Sequence, residues 1–268
     1  MEIRKPAQAG RFYPGRKDEL QKLLKEYTSY DKNKITAKGI LCPHAGYMYS
    51  GKTAGMVYGR INIPDTVVVI GPNHTGLGED ISVYPAGGWE TPIGNLEINE
   101  EFINELTDSL NIIIKDKKAH EHEHSIEVQL PFIKYLNKNA KIVPICVMQY
   151  SASICKDIGE AIAITANNLG REILVVASSD MTHYETQSIA EKNDRLVLDK
   201  ILKLDPREML EVVNEQGISM CGAGPCAIMM YAAKKLGAKK AKLINYTTSG
   251  EVTGDKSAVV GYAGVAVY

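Results

Sequence analysis

The sequence predicts one α/β domain with a central mixed, mainly parallel sheet flanked by helices. Three observations carry this. Short apolar runs centred near residues 40, 68, 144 and 175 alternate with helical stretches, the pattern of strands joined by crossover helices. The chain is 268 residues long and 44% hydrophobic, enough to bury one large core. No Pro/Gly/Ser-rich linker and no internal repeat divides it, so residues 1–268 read as one unit.

The elements follow in order. Lys17 to Tyr30 reads as a surface helix, with Leu20, Leu23 and Leu24 on one face among charges. Gly39 to Cys42 is a short strand stopped by Pro43, and Ser50 is placed to cap a helix running to Arg60. Thr66 to Ile70 is a buried strand by its β-branched content, and Gly71 to Gly76 must be loop. Ile81 to Leu96 reads as a strand and an irregular excursion, Asn99 to Leu110 as a helix. Ile126 to Leu136 reads as a helix bent or begun near Pro131. Lys141 to Val147 is a strand whose Pro144 suggests a place near a sheet edge. Helix Ser153 to Leu169 and buried strand Ile173 to Ala177 come next, then a helix from Thr186 to Leu202. Asp205-Pro206 is a cap and first-turn proline for a helix through Val213. A helix from Cys226 to Leu236 precedes two closing strands, Lys242 to Thr248 and Ala258 to Val267, expected to run antiparallel at one side.

Composition excludes several classes. Lys plus Arg number 31 against 32 Asp plus Glu, so no whole-surface nucleic-acid footprint exists. No run of 18 apolar residues marks a membrane span, and the start lacks the apolar stretch of a signal peptide, which predicts a cytoplasmic protein. The five cysteines are read as free thiols.

Of the six histidines, His44 and His74 directly follow apolar strands. His183 follows a third, with Asp180 three residues before it. Ligands of open α/β sheets bind outside the carboxyl ends of strands, so one crevice can collect these imidazoles. Imidazole suits divalent metals, and a carboxylate or thiolate completes a set of three. Cys221, before a Gly-rich turn and a helix, is a candidate thiolate as much as a buried cysteine in a tight turn. The His120, His122, His124 alternation resembles a metal tract, but its acidic and basic neighbours read equally well as a solvated linker. His124 and Glu127, just before an apolar stretch, are better placed as partners that orient other groups. No dinucleotide fingerprint, complete phosphate-binding loop, nucleophile elbow or His-Glu-x-x-His helix is present.

These residues carry a resemblance. Arg4-Lys5-Pro6, Gly10 to Pro14, Pro43 to Gly51, Gly71 to His74, Glu123 to Glu127, Ser178 to Tyr184 and Cys221-Gly222, in this order, resemble a microbial member of the Memo family nearly end to end. That family in turn resembles the class III extradiol dioxygenases, non-haem iron enzymes that open catechol rings. The resemblance implies that α/β fold and a metal held by His44, His74 and Cys221. The dioxygenases use two histidines and a glutamate, so Cys221 departs from their iron triad and ring opening does not carry over with it. His183 falls where the relatives keep a catalytic histidine, with Asp180 beside it to orient a ring or substrate. Microbial members occur together with radical-SAM proteins, which suggests a shared pathway.

Two functions are therefore expected to compete. One is a metal-dependent oxidoreductase of a small aromatic or phenolic molecule, with iron as the metal and copper or zinc as rival occupants. The other is a non-enzymatic binding protein that uses the old pocket for a peptide or small ligand. Cys221 itself is expected to be a low-pKa thiolate, with amides of the Gly222–Gly224 turn aimed at its sulfur.

Overall fold

A computed structural model describes residues 2–29 and 34–268. Among them twelve strands join one sheet. They are β1 (Ile3–Arg4), β2 (Gly39–Cys42), β3 (Thr66–Pro72), β4 (Ile81–Val83), β5 (Gly88–Thr91) and β6 (Gly94–Ile98), followed by β7 (Ile114–Lys115), β8 (Lys141–Val147), β9 (Ile173–Ser178), β10 (His183–Glu185), β11 (Ala241–Thr248) and β12 (Val259–Val267). Their main path runs β1-β5-β6-β8-β3-β9-β2-β12-β10, with β11 on β12 and with β4 and β7 beside β8. The four apolar runs form its parallel centre: Val68 of β3 is in register with Val143 of β8 and Val175 of β9, and Leu41 of β2 with Ala177 of β9. Every residue of β2, β3 and β9 is buried, as expected of parallel strands covered on both faces. The closing strands run antiparallel, β12 pairing with both β11 and β2.

The helices are α1 (Lys17–Thr28), α2 (Lys52–Tyr58), α3 (Glu100–Ser109), α4 (Leu130–Leu136), α5 (Ala152–Asn168), α6 (Gln187–Leu202), α7 (Pro206–Glu215), α8 (Ala223–Lys235) and the single turn α9 (Gly250–Thr253). Polar side chains start three of them: Asn99, Ser151 and Asp205 each accept a first-turn N–H, and Pro206 fills a position where no donor is needed. Helix α8 reads Ala-Gly-Pro-Cys-Ala-Ile-Met-Met and is buried all round, packing on α5, α7 and the sheet centre. No helix among the described residues is long and apolar enough to cross a membrane.

Three expectations are corrected. Tyr30, the expected end of the first helix, lies outside the described residues, and α1 ends at Thr28. Ser50 caps nothing: it lies inside a π-helical turn, Tyr47–Gly51, and its buried hydroxyl donates to the Ala45 carbonyl at 2.9 Å. Pro144 is not at an edge, because β8 has partners on both sides. The Ile142 and Pro144 carbonyls both face away from β3, accepting from Asn99 and Tyr84. The missing proline N–H therefore falls where β8 changes partner from β6 to β4, and it breaks no bond to β3.

Because β2, β3 and β9 are parallel and adjacent, their carboxyl ends leave the sheet together. Cys42 lies beside Ser178 in register, and Pro72 ends β3 at the same side. The loops that follow begin with His44, Asn73-His74 and Ser179-Asp180.

Candidate metal centre

Pro43 stops β2, so His44 is the second residue of a loop and turns inward, 2% exposed. Its N–H donates to Asp180 Oδ1 at 2.7 Å, and the Ala45 N–H donates to the same oxygen at 3.3 Å. The ring Nδ1 lies 3.0 Å from Ser178 Oγ. That hydroxyl already donates to the Ser125 carbonyl at 2.5 Å and accepts from Gln129 Nε2 at 2.8 Å. Having one proton and having spent it, Ser178 can only accept from His44. The ring is thus the Nδ1–H tautomer, and Nε2 presents a bare lone pair 3.2 Å from Cys221 Sγ.

A buried carboxylate orders His74 in the same way. Glu123, 0% exposed, accepts the His74 N–H on Oε2 at 2.5 Å and the ring Nδ1 on Oε1 at 2.9 Å. Burial alone would raise its pKa. The His74 hydrogen bond and charge, with the Ser125 N–H, outweigh burial and hold the carboxyl at about 2. An ionised carboxylate only accepts, so the His74 Nδ1 carries a proton and Nε2 is the nitrogen left for a ligand. His124 stacks on His74 with centroids 4.4 Å apart, and its ring lies 5.3 Å from that of His44. Burial lowers His124 to about 4 and lowers His44 well below its ordinary value, so both are neutral near pH 7.

Cys221 arrives from the segment between α7 and α8. Gly222 allows this, because a Cβ there would stand 2.5 Å from the Ser178 carbonyl oxygen. The result is one ligand atom each from His44, His74 and Cys221, all within 4.8 Å of one another. Donors around a tetrahedral ion stand about 3.3–3.6 Å apart, so closing on a metal needs only small shifts. Two imidazoles with outer nitrogens already hydrogen-bonded, plus a sulfur, fit zinc, iron or copper(I).

The low-pKa expectation for Cys221 is corrected. Burial, then the Asp180 carboxylate, push the thiol well above its usual range. The amide that reaches the sulfur is that of Asp180, at 3.3 Å; Gly222 N–H donates to Ser179 Oγ instead. A free thiol here is protonated, and a metal must displace that proton.

His183 stands at the rim, half-buried, close enough for its charge to act on His44 and Asp180. Its Nδ1 lies 2.8 Å from the Ser219 carbonyl, which only accepts, so Nδ1 carries the proton and Nε2 is free to take one. The next residue, Tyr184, adopts φ +59° and is 78% exposed, a strained conformation of the kind found at functional sites. Asp180 uses its carboxylate on the His44 loop and its N–H on Cys221, so it ties two ligand loops together. Burial lifts it to about 6.

Two further expectations change. Glu127 does not touch the three ligands: its carboxylate takes Arg4, the Ala7 and Gln8 amides and the Tyr13 hydroxyl. The linker reading of the histidine tract fails for His120 and Glu123, both 0% exposed. Alternating charge hid Glu123, the residue that orders His74; its place two before Ser125 and one before His124 was the only available signal. His120 packs edge-on against Tyr84 and Trp89, and burial lowers it to about 3. Below pH 6.5 the unfolded chain therefore binds a proton here that the folded protein refuses. His120 contributes fully to stability above about 6.5, and that contribution is lost as pH falls toward 3, by about 1.4 kcal/mol per pH unit. Urea unfolding at pH 7 and pH 5 should show a smaller loss for His120→Phe than for the native chain; equal losses would refute the assignment.

Comparisons with known proteins agree in kind. A family model described as Memo-like protein matches residues 4–266. A MEMO1 family protein of Methanocaldococcus jannaschii is 46% identical, covering 99% of each chain. Another, of Methanopyrus kandleri, is 41% identical over 98% of each, and one of Ignicoccus hospitalis is 43% identical over 99% of this chain and 98% of its own. The crystal structure of an uncharacterized protein from Escherichia coli K12 shares the fold at TM-score 0.56 and 14% identity, over 85% of this chain and 98% of that one.

Proposed function

The chain belongs to the Memo-like family, and on that premise we propose that it is a metal-dependent oxidoreductase acting on a small phenolic molecule. One observation carries the reading: three lone-pair donors from three separate loops converge within 4.8 Å, each imidazole with its Nδ1 proton already committed to a partner. His44, His74 and Cys221 would hold the ion, iron for redox chemistry, with copper or zinc as rivals. Such an ion would supply Lewis acidity and, if iron, redox chemistry with dioxygen.

The chain's own residues then do the following. Asp180 fixes the His44 loop and reaches the Cys221 sulfur through its amide. Glu123 fixes His74. His183, with Nδ1–H committed to Ser219, accepts the phenolic proton on Nε2 and returns it to product. Phe12 and His124, with ring centroids 4.8 Å apart and planes tilted by 40°, put aromatic edges beside His44 and His74 for a phenol ring to pack against.

The experiment purifies the protein without oxygen and without an affinity tag, measures bound metal, then adds iron(II) and a panel of phenols in air. Bound metal and phenol-dependent oxygen uptake are expected, with His183→Asn keeping the metal and losing most uptake. A protein that retains no iron, zinc or copper(I) after dialysis would refute the reading and leave the pocket a ligand-binding surface.

A further inference from the structure

Arg4 is 7% exposed and lies on the first strand, far in sequence from every candidate ligand. Its guanidinium has five N–H donors, and all five are used. Nε donates to the His120 carbonyl at 2.7 Å. Nη2 donates to the Glu121 and Glu123 carbonyls at 3.3 and 3.1 Å. Nη1 donates to Glu127 Oε2 at 2.7 Å and to the Lys5 carbonyl at 3.5 Å. The plane lies over the Trp89 ring, 4.1 Å from its centroid. Four of the five bonds thus grip residues 120–127, the segment that carries Glu123 and His124. Glu127 returns the grip through the Ala7 and Gln8 amides and the Tyr13 hydroxyl. The same N-terminal stretch brings Phe12 against His124, and the Phe12 carbonyl accepts from the Tyr47 N–H at 2.7 Å.

We infer that Arg4 is a positioning residue of the metal centre, acting through Glu123 on His74. The inference rests on the metal-centre reading above. The chain of contacts is short: Arg4 holds the Glu123 backbone, and the Glu123 carboxylate holds both the His74 amide and its ring. Arg4 ties the N-terminal strand to the segment that orders a ligand, and a planar fork is what reaches three carbonyls and a carboxylate at once. Lysine keeps the charge beside Glu127 but has one nitrogen, so it cannot hold the segment. The N-terminal stretch is on this account part of the site.

The test is a zinc titration against a chromophoric chelator, with circular dichroism confirming the fold, on the native chain, Arg4→Lys, Glu123→Gln and the double variant. Each single variant should weaken zinc binding by about 10–100-fold. The double should be no weaker than Glu123→Gln alone, because both act along one path. Native affinity in Arg4→Lys, or losses that multiply in the double, overturns the inference. Trp89→Leu removes the ring beneath the guanidinium without unpairing its charge; it serves if Arg4→Lys does not fold, and its zinc affinity should fall in the same direction. If the native chain binds no zinc, the metal reading fails first. The inference is then judged by nitrogen NMR of the metal-free protein, where the His74 Nδ1–H should be protected from exchange in the native chain and lose that protection in Arg4→Lys.

Discussion

Replacing Cys221 by serine should leave the fold intact and weaken binding of zinc or iron(II) by more than about 100-fold, beyond the 10–100-fold cost of losing an outer-shell partner. Serine nearly matches cysteine in size, and Cys221 is half-buried on a loop, so packing changes little. What changes is the donor: a hydroxyl keeps its proton where a metal-bound thiol gives its proton up. The sign of the pH dependence follows. Burial and the Asp180 carboxylate hold the Cys221 thiol well above its ordinary range, so the metal must expel a proton to bind. Apparent affinity should therefore rise with pH through the neutral and mildly alkaline range, and serine should flatten that rise. Chelator competition from pH 6.5 to 8.5 measures both effects. Retained affinity in Cys221→Ser would remove sulfur from the donor set. Alkylation supplies a second readout: in the metal-free protein Cys221 should label slowly, because it is a protonated thiol.

Glu127→Ala should destabilise the protein by about 3–5 kcal/mol, the cost of removing one partner from a buried ion pair. Glu127 and Arg4 have side-chain exposures of 1% and 5%, and alanine leaves the guanidinium without this carboxylate. It also strips acceptors from two backbone amides and from Tyr13. For a chain of this size the melting temperature should fall by about 10 °C. Glu90→Ala is the contrast. Its ion pair with Lys5 is exposed, so its loss should cost under about 1 kcal/mol. Thermal and urea unfolding of both variants decide the matter, and a Glu127→Ala cost below 1 kcal/mol would show that the pair holds little together.

Much of the site was legible before the fold. A histidine directly after an apolar run and a proline, as at Pro43-His44 and Pro72-Asn73-His74, marks a loop at the carboxyl end of a parallel strand, because side-chain pattern and backbone breaker both act locally. The four central strands were legible for the same reason: parallel strands buried on both faces must be continuously apolar. Glu127, flanked by Ile126 and Val128, was read without the partners that hold it, and Glu123 was passed over because its neighbours in sequence are charged. Their burial depends on Arg4 and His74, residues 123 and 49 positions away. Sequence patterns report periodicity along one element and carry no account of a partner that arrives from another.

The sequence by itself determined the α/β architecture, the break at Pro43, the cap at Asp205, and the strand-end histidines. Each follows from steric or hydrogen-bonding rules that operate within a few residues. Only the tertiary structure decided that Pro144 sits inside the sheet, that Ser178 and Glu123 hold the Nδ1 protons of His44 and His74, and that the Cys221 thiol is raised and not lowered. Those outcomes turn on which groups meet across the sheet and how much water they exclude. Desolvation and long-range hydrogen bonds are properties of the assembled fold, and no local rule contains them.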